Sequence, residues 1–275
     1  MSFRLTNVRL SYAKGRTVLS RLTLQAGRGE RVAIIGASGA GKTSLLRLLG
    51  VAHRPDDGNM EILGQSPWRL SARELRRLRS RIGVVHQQPP IPPRQRAITA
   101  VLAGRLGVWP WWKAAASLLY PADIEGAEAQ LGRLELGDRL FERCDRLSGG
   151  QLQRVGVARV LYQQPQMILA DEPVSSMDPT LADLTLGELV KEATARSATF
   201  IASLHAVDLA LRWFPRIVGL KDGEVVFDLP PVRITESLLR DLYAAETSVP
   251  PTQSPEPLAL PARGPRQVAR CKPLS

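Results

Sequence analysis

Eight residues, Gly36-Ala37-Ser38-Gly39-Ala40-Gly41-Lys42-Thr43, follow the β-branched run Arg31–Ile35 and precede a helical pattern that begins Ser44-Leu45-Leu46. They fit G-x-x-x-x-G-K-[ST], and a strand before with a helix after is the context in which that spacing wraps a phosphate. The glycines let backbone N–H groups close around an anion, and the helix start adds the positive end of its dipole. Lys42 is placed to reach β- and γ-phosphates, and the Thr43 hydroxyl to ligate Mg²⁺. A glycine-rich turn without a ligand is the competing reading of the same residues. The flanking strand and helix weigh against it, and they point to an α/β fold.

Two further stretches have the same logic. Leu147-Ser148-Gly149-Gly150-Gln151 opens the helical run Gln151–Arg159, so a serine hydroxyl and a row of N–H donors face whatever lies beyond the helix start. Taken alone, those residues would also make an ordinary cap and turn. Met167-Ile168-Leu169-Ala170 reads as a buried strand, with Asp171, Glu172 and Pro173 at its carboxyl end, where open α/β sheets bind ligands. Solvated acids at a strand end are the plainer alternative.

Leu-Ser-Gly-Gly-Gln together with the phosphate loop and the Asp-Glu pair resembles the ATP-binding-cassette (ABC) ATPases, from about Phe3 to about Tyr243. The resemblance implies a P-loop ABC ATPase fold: a RecA-like core, an antiparallel β portion at the N-terminus and a helical subdomain. It implies ATP and Mg²⁺ as ligands. Residues 36–43 would hold the phosphates of one ATP, and Ser148, Gly149, Gly150 and Gln151 would face the γ-phosphate held by a second subunit. Asp171 would hold Mg²⁺ through water, and Glu172 would be the general base that polarises the attacking water. Those two carboxylates need different environments to do different work.

Four more positions match the family by place. Gln87, within Gly83–Gln88, resembles the glutamine whose amide oxygen ligates Mg²⁺; His86 stands where Phe is usual, and Gln88 is the neighbouring candidate. His205, just past the apolar run ending Ala202-Ser203-Leu204, resembles the histidine that contacts the γ-phosphate and the catalytic carboxylate. Asp178, in Ser175-Ser176-Met177-Asp178, resembles the family's segment that crosses the dimer interface, and before Pro179 it is also a sound helix cap. Tyr12, ending the alternating run Phe3–Tyr12, matches the aromatic that stacks on adenine; a strand-end ring packed on the core edge is the plainer reading.

Composition sets bounds on this. At 275 residues and 44% hydrophobic the chain can bury one large core and a lobe. No apolar stretch approaches the roughly 20 residues that span a bilayer. No basic-then-apolar leader precedes the first strand pattern, and Cys144 and Cys271 provide no disulfide framework. A soluble chain is expected, at the cytoplasmic face of the inner membrane and working through separate permease subunits. A net charge of +11 is densest at Arg69, Arg73, Arg76, Arg77, Arg79 and Arg81, behind a Ser71–Glu74 capping box. With Leu70, Leu75 and Leu78 marking an apolar side, this reads as a solvated helix face, and no nucleic-acid-reading module accompanies it.

The expected organisation is an ATPase domain over 1–245, with a helical subdomain over about 88–147, and a proline-rich basic tail over 246–275. That tail has seven prolines and no periodic apolar face, the composition of a disordered segment. Helices are expected at Ile98–Arg105, Lys113–Leu119, Asp123–Leu134 and Thr235–Ala244, and a hairpin turn at Lys221–Glu224. Ala100–Gly107 with Trp109, Trp111 and Trp112, Leu204–Arg212 and Arg216–Asp228 resemble the ATPases of phosphonate importers. The resemblance implies uptake of phosphonate or a related phosphorus oxyanion by a head-to-tail pair of these chains, or a pair with a similar ATPase. A permease and a periplasmic or lipid-anchored binding protein would complete the system. An exporter or mechanical membrane complex would share the motifs and stays open. A soluble ATPase acting on nucleic acid or ribosomes is disfavoured, because only about a hundred residues separate the two glycine motifs and they carry no sustained heptads.

Overall fold

The computed structural model describes residues 1–12, 15–119 and 121–244; the segment 246–275, expected to be a disordered tail, lies outside them. The strands are β1 Phe3–Tyr12, β2 Arg16–Ala26, β3 Arg31–Ile35, β4 Asp57–Ile62, β5 Ile82–Val85, β6 Met167–Asp171, β7 Thr199–Ser203, β8 Arg216–Lys221 and β9 Glu224–Leu229. The helices are α1 Lys42–Leu49, α2 Ala72–Arg79, α3 Ala97–Leu102, α4 Trp111–Leu119, α5 Ile124–Gly132, α6 Gly149–Gln163, α7 Pro179–Arg196, α8 Val207–Trp213 and α9 Glu236–Tyr243.

Two sheets form. The first is antiparallel, ordered β2-β1-β4, and its alternation of buried and exposed residues covers one face only. The second is ordered β5-β6-β7-β3-β8-β9, parallel except for its last strand. Its central strands are continuous apolar runs because both faces are covered. Ala33 and Ile35 of β3 face the helices α3 and α5 to α8, whereas Val32 and Ile34 face α1 and the antiparallel sheet. The register sets Ile34 beside Ser203 and Ser203 beside Asp171, so β3, β7 and β6 end along one edge.

The expected antiparallel and helical portions are both present. The turn joining β8 and β9 has Asp222 and Gly223 at φ of 50° and 81°, the left-handed pair a two-residue hairpin requires. The Ser71–Glu74 capping box forms at α2. The arginine row behind it departs from a simple solvated face. Arg79 turns back and donates from Nε and Nη2 to the Val51 carbonyl at 3.2 and 2.8 Å, and Arg81 lies past the helix, donating to Gln166. The tryptophans divide as well. Trp109 packs edge-on against Tyr162 with Lys113 over its face, while Trp111 and Trp112 are 82% and 61% exposed.

One hydrogen bond closes the insert between β5 and β6 on itself, and Arg133 ties it to α7. The Pro89–Pro93 segment lies over α6 and accepts a hydrogen bond at the Pro93 carbonyl from Asp145 N–H, at 2.8 Å. Arg133, capping α5, donates to Glu188 and Glu192 of α7 at 2.7 and 2.9 Å. Both acids are nearly buried, so removing the guanidinium leaves two carboxylates without their shared cation. Arg133→Ala should therefore cost about 2 kcal/mol. Lys at the same place should recover part of that, since it lacks the planar fork. A urea midpoint equal to wild type would show that the bridge carries no stability.

Candidate nucleotide site

The phosphate loop leaves β3 at Ile35 and enters α1 at Lys42, and its geometry depends on glycine. Gly36 has φ 153°, and a Cβ there would meet the Leu220 carbonyl oxygen of β8 at 2.1 Å. Gly41, at φ 106°, caps α1. Lys42 folds back over its own loop: Nζ donates to the carbonyls of Gly36 at 2.6 Å and Ala37 at 3.0 Å. The ammonium is thereby held in the mouth of the loop, next to the N–H groups at the start of α1.

Asp171 ends β6, two strands from β3 with β7 between them. Its Oδ1 accepts from Thr43 Oγ1 at 3.1 Å and from Ser203 Oγ at 2.8 Å. A hydroxyl and a carboxylate oxygen meeting this closely are the hard donors that suit Mg²⁺, which is usually held by one or two protein groups plus phosphate oxygens. Among the described residues no group of three or more His, Cys, Asp or Glu gathers as an all-protein cage, and such a site does not require one.

Glu172 is the centre of the network. Its Oε2 accepts from Gln87 Nε2 at 2.7 Å, and its Oε1 lies 2.6 Å from His205 Nε2. Of the two candidate glutamines, Gln87 is the one that reaches this carboxylate. Its amide nitrogen is the group that does so, whereas the sequence reading assigned a role to the oxygen. The backbone of Glu172 is left-handed, at φ 48°, which costs roughly 1–2 kcal/mol in a non-glycine residue. Its N–H donates to Ser203 Oγ at 3.1 Å, and its carbonyl accepts from Gln153 Nε2 at 2.7 Å. His86, one residue before Gln87, is lowered from the ordinary imidazole pKa by partial loss of solvent around its ring and by the charge of Arg159.

Tyr12 reaches the same cavity from the end of β1. Its hydroxyl is 3.2 Å from Ser44 Oγ, and its ring stands edge-on to His53 with centroids 5.5 Å apart. The cavity, of about 620 Å³, is lined by Tyr12, Ser38, Gly39, Gly41, Lys42, Thr43, Glu172 and His205 among others. A larger hollow of about 740 Å³ lies on the antiparallel sheet near Arg4, Arg54 and Trp68 and contains none of the motif residues.

Ser148, Gly149, Gly150, Gln151 and Asp178 are elsewhere. They line a separate cavity of about 450 Å³ that shares no residue with the first. Ser148 caps α6: Gln151 N–H donates to its Oγ at 3.3 Å, and Gln151 Oε1 accepts from Ser148 N–H at 2.9 Å. Gly150 lies against the Ser176 carbonyl, which an added Cβ would meet at 2.8 Å. Asp178 caps α7 through the N–H groups of Thr180 and Leu181, both at 3.1 Å. The reading of Asp178 as a helix cap therefore holds, and the residue also stands beside the serine–glycine motif.

Two participants, Ser203 and Gln153, did not emerge from the sequence reading. Each left a signal. Ser203 closes an apolar strand and is fully buried, so its hydroxyl must find a partner. Gln153 sits among the buried helical positions Val155, Gly156 and Val157, where a polar side chain requires a reason.

A phosphate loop at the end of a parallel strand, an Asp-Glu pair two strands over and a serine–glycine helix cap define an ATP-hydrolysing cassette. The family model described as ABC transporter matches residues 19–175, and the chain belongs to that family. It is 66% identical over 264 residues to the Phosphonates import ATP-binding protein PhnC 1 of Cupriavidus necator, covering 96% of this chain and 94% of that protein. It is 60% identical over 246 residues to the PhnC 2 protein of the same description from Pseudomonas aeruginosa, covering 90% and 92%. Among solved structures, the dimeric ATP-binding cassette MJ0796 bound to ADP and Pi superposes with a TM-score of 0.70 at 29% identity, covering 83% of this chain and 98% of that one. The ATP binding subunit of an ABC transporter, at 22% identity and a TM-score of 0.74, shares the fold; the match covers 90% of this chain and all of that one.

The Gly36 contact gives a test of the loop. Gly36→Ala must move either the loop or β8, and a misplacement on the scale of 1 Å is worth up to about a hundredfold. ATP affinity, measured by titration calorimetry, should fall at least about tenfold in this variant. Gly39→Ala, whose Cβ would meet nothing within 4 Å, should lose less. Equal affinities for Gly36→Ala and wild type would remove Gly36 from the site.

Proposed function

We propose that this chain is the ATP-hydrolysing subunit of an importer for phosphonates or a related phosphorus oxyanion. Two copies would sandwich two nucleotides head to tail. One observation carries the hydrolytic part: the Glu172 carboxylate is gripped between Gln87 and His205, beside the loop that Lys42 closes. The pairing of copies is supported by the two separate cavities: a phosphate loop and a serine–glycine cap that share no lining residue in one chain would meet through a second copy, and a closed pair that completes both sites has a two-fold axis. The dimeric state of MJ0796 agrees with that arrangement. The solute is supported by the names of relatives similar over nine-tenths of this chain.

In this reading Gly36–Thr43 hold the phosphates and Tyr12 stacks on the base. Mg²⁺ would be held by Thr43, Asp171 and Gln87, and when bound it neutralises charge on the phosphoryl group being transferred. Lys42 places a second positive charge at the same oxygens. Glu172 accepts a hydrogen bond from water and aims it in line with the leaving group, while His205 fixes the carboxylate's orientation. Ser148, Gly149, Gly150 and Gln151 of the other copy supply N–H donors to the γ-phosphate, and Asp178 lines that interface. The domain spans 1–245, with a helical subdomain at about 88–147 that passes closure to a membrane permease. The chain lies on the cytoplasmic face of the inner membrane, and a separate binding protein delivers solute from the far side. No helix among the described residues is long and apolar enough to cross a membrane; in this reading the permease supplies the path for solute.

Glu172→Gln should keep ATP affinity, form a lasting ATP-bound dimer on gel filtration and lose at least about a hundredfold in turnover, the usual worth of a general base. Wild-type turnover in that variant would end the assignment. For the solute, cells lacking this chain should fail to grow on a phosphonate as sole phosphorus source and should grow on phosphate. Undiminished growth on the phosphonate would exclude it as the cargo.

A further inference from the structure

The hydrogen bond between Gln153 and the Glu172 carbonyl is costly to build. Gln153 is 1% exposed, and its Oε1 is buried without a hydrogen-bond partner. A carbonyl can only accept, so the amide must turn its nitrogen toward Glu172 and leave the oxygen without a partner. A buried amide with one half unpaired is disfavoured relative to an apolar side chain of the same shape. Its presence calls for something the remaining bond achieves.

That bond acts on a strained residue. Glu172 stands in the left-handed region, and both of its peptide groups are held from outside. On the amino side, Ser203 of β7 accepts its N–H through Oγ at 3.1 Å and through its carbonyl at 3.2 Å. On the carboxyl side, the Glu172 carbonyl accepts from Gln153 Nε2 at 2.7 Å, and from Ser175 Oγ and N–H at 3.2 and 3.3 Å. Rotating the backbone out of this conformation would swing the side chain away from Gln87 and His205. The Gln153 contact is the shortest of those restraints and the only one from α6.

We propose that Gln153 is a positioning residue for Glu172, locking its left-handed backbone so that the carboxylate faces the reacting phosphate. This rests on the reading of Glu172 as the base. The placement has a further meaning. Gln153 lies five residues past Ser148 on one continuous helix, so the element that offers its cap to the partner's nucleotide also holds the base that serves its own. A shift of α6 on engaging the partner is felt directly at Glu172.

The test is steady-state ATPase kinetics of the full chain with Gln153→Met, which keeps length and burial and removes the donor. We expect kcat to fall at least about tenfold with KM for ATP within about twofold, the signature of an interaction made for the transition state. A merely structural role would instead lower the thermal midpoint and ATP affinity together. Gln153→Leu, which removes the same donor with a smaller apolar side chain, should show the same split between kcat and KM; it serves if the Met variant does not fold. Unchanged kcat in Gln153→Met, or in Gln153→Leu where only that variant folds, beside an inactive Glu172→Gln, would overturn the positioning role alone. Wild-type turnover in Glu172→Gln would overturn the base assignment and this inference with it.

Discussion

Everything at the nucleotide site follows from three parallel strands ending in step. The pairing of Ile34 with Ser203 and of Ser203 with Asp171 brings the phosphate loop, the acidic pair and His205 to one sheet edge, although they lie far apart in sequence. Parallel pairing of this kind is stable only with both faces covered. The two clusters that share out β3, β6 and β7 are therefore conditions of the chemistry as well as of the fold.

Once that edge exists, short polar links join its parts. The Ser203 hydroxyl both donates to Asp171 and accepts from the Glu172 N–H. Thr43 reaches Asp171 from α1, and Gln87 reaches Glu172 from the end of β5. The Gln87 link is exposed, whereas those of Thr43 and Ser203 are partly buried, where a missing partner costs more than the bond itself contributes. The site is thus a connected network, and its members constrain one another's positions.

Much of this was legible in the residues. Glycine spacing, β-branched runs and the cap before Gln151 identified the loop, the strands and the start of α6, because each is dictated by local sterics or local hydrogen bonding. The hairpin at Asp222-Gly223 was legible for the same reason. What escaped were positions defined by tertiary contact. Nothing near Glu172 in sequence announces a left-handed backbone; it is imposed by Ser203, Ser175 and Gln153, the first and last of which lie on other elements. Arg79 looked like one more surface charge, and only the fold brings the Val51 carbonyl within its reach. The split among the tryptophans was undecidable from spacing, since Trp109 is half-buried against Tyr162, more than fifty positions away.

The wall of the phosphate loop comes from late in the chain. Gly36 abuts the Leu220 carbonyl, and Gly223 N–H donates to the Ala40 carbonyl at 3.1 Å while its own carbonyl accepts from Ser20. A ribosome making this protein finishes the loop's own residues early, yet the brace that shapes them emerges some 180 residues afterward, at the order of 10 residues per second a matter of many seconds. During that interval the nascent amino-terminal part has its glycines and its lysine but no completed grip, so nucleotide capture is a property of the nearly finished polypeptide.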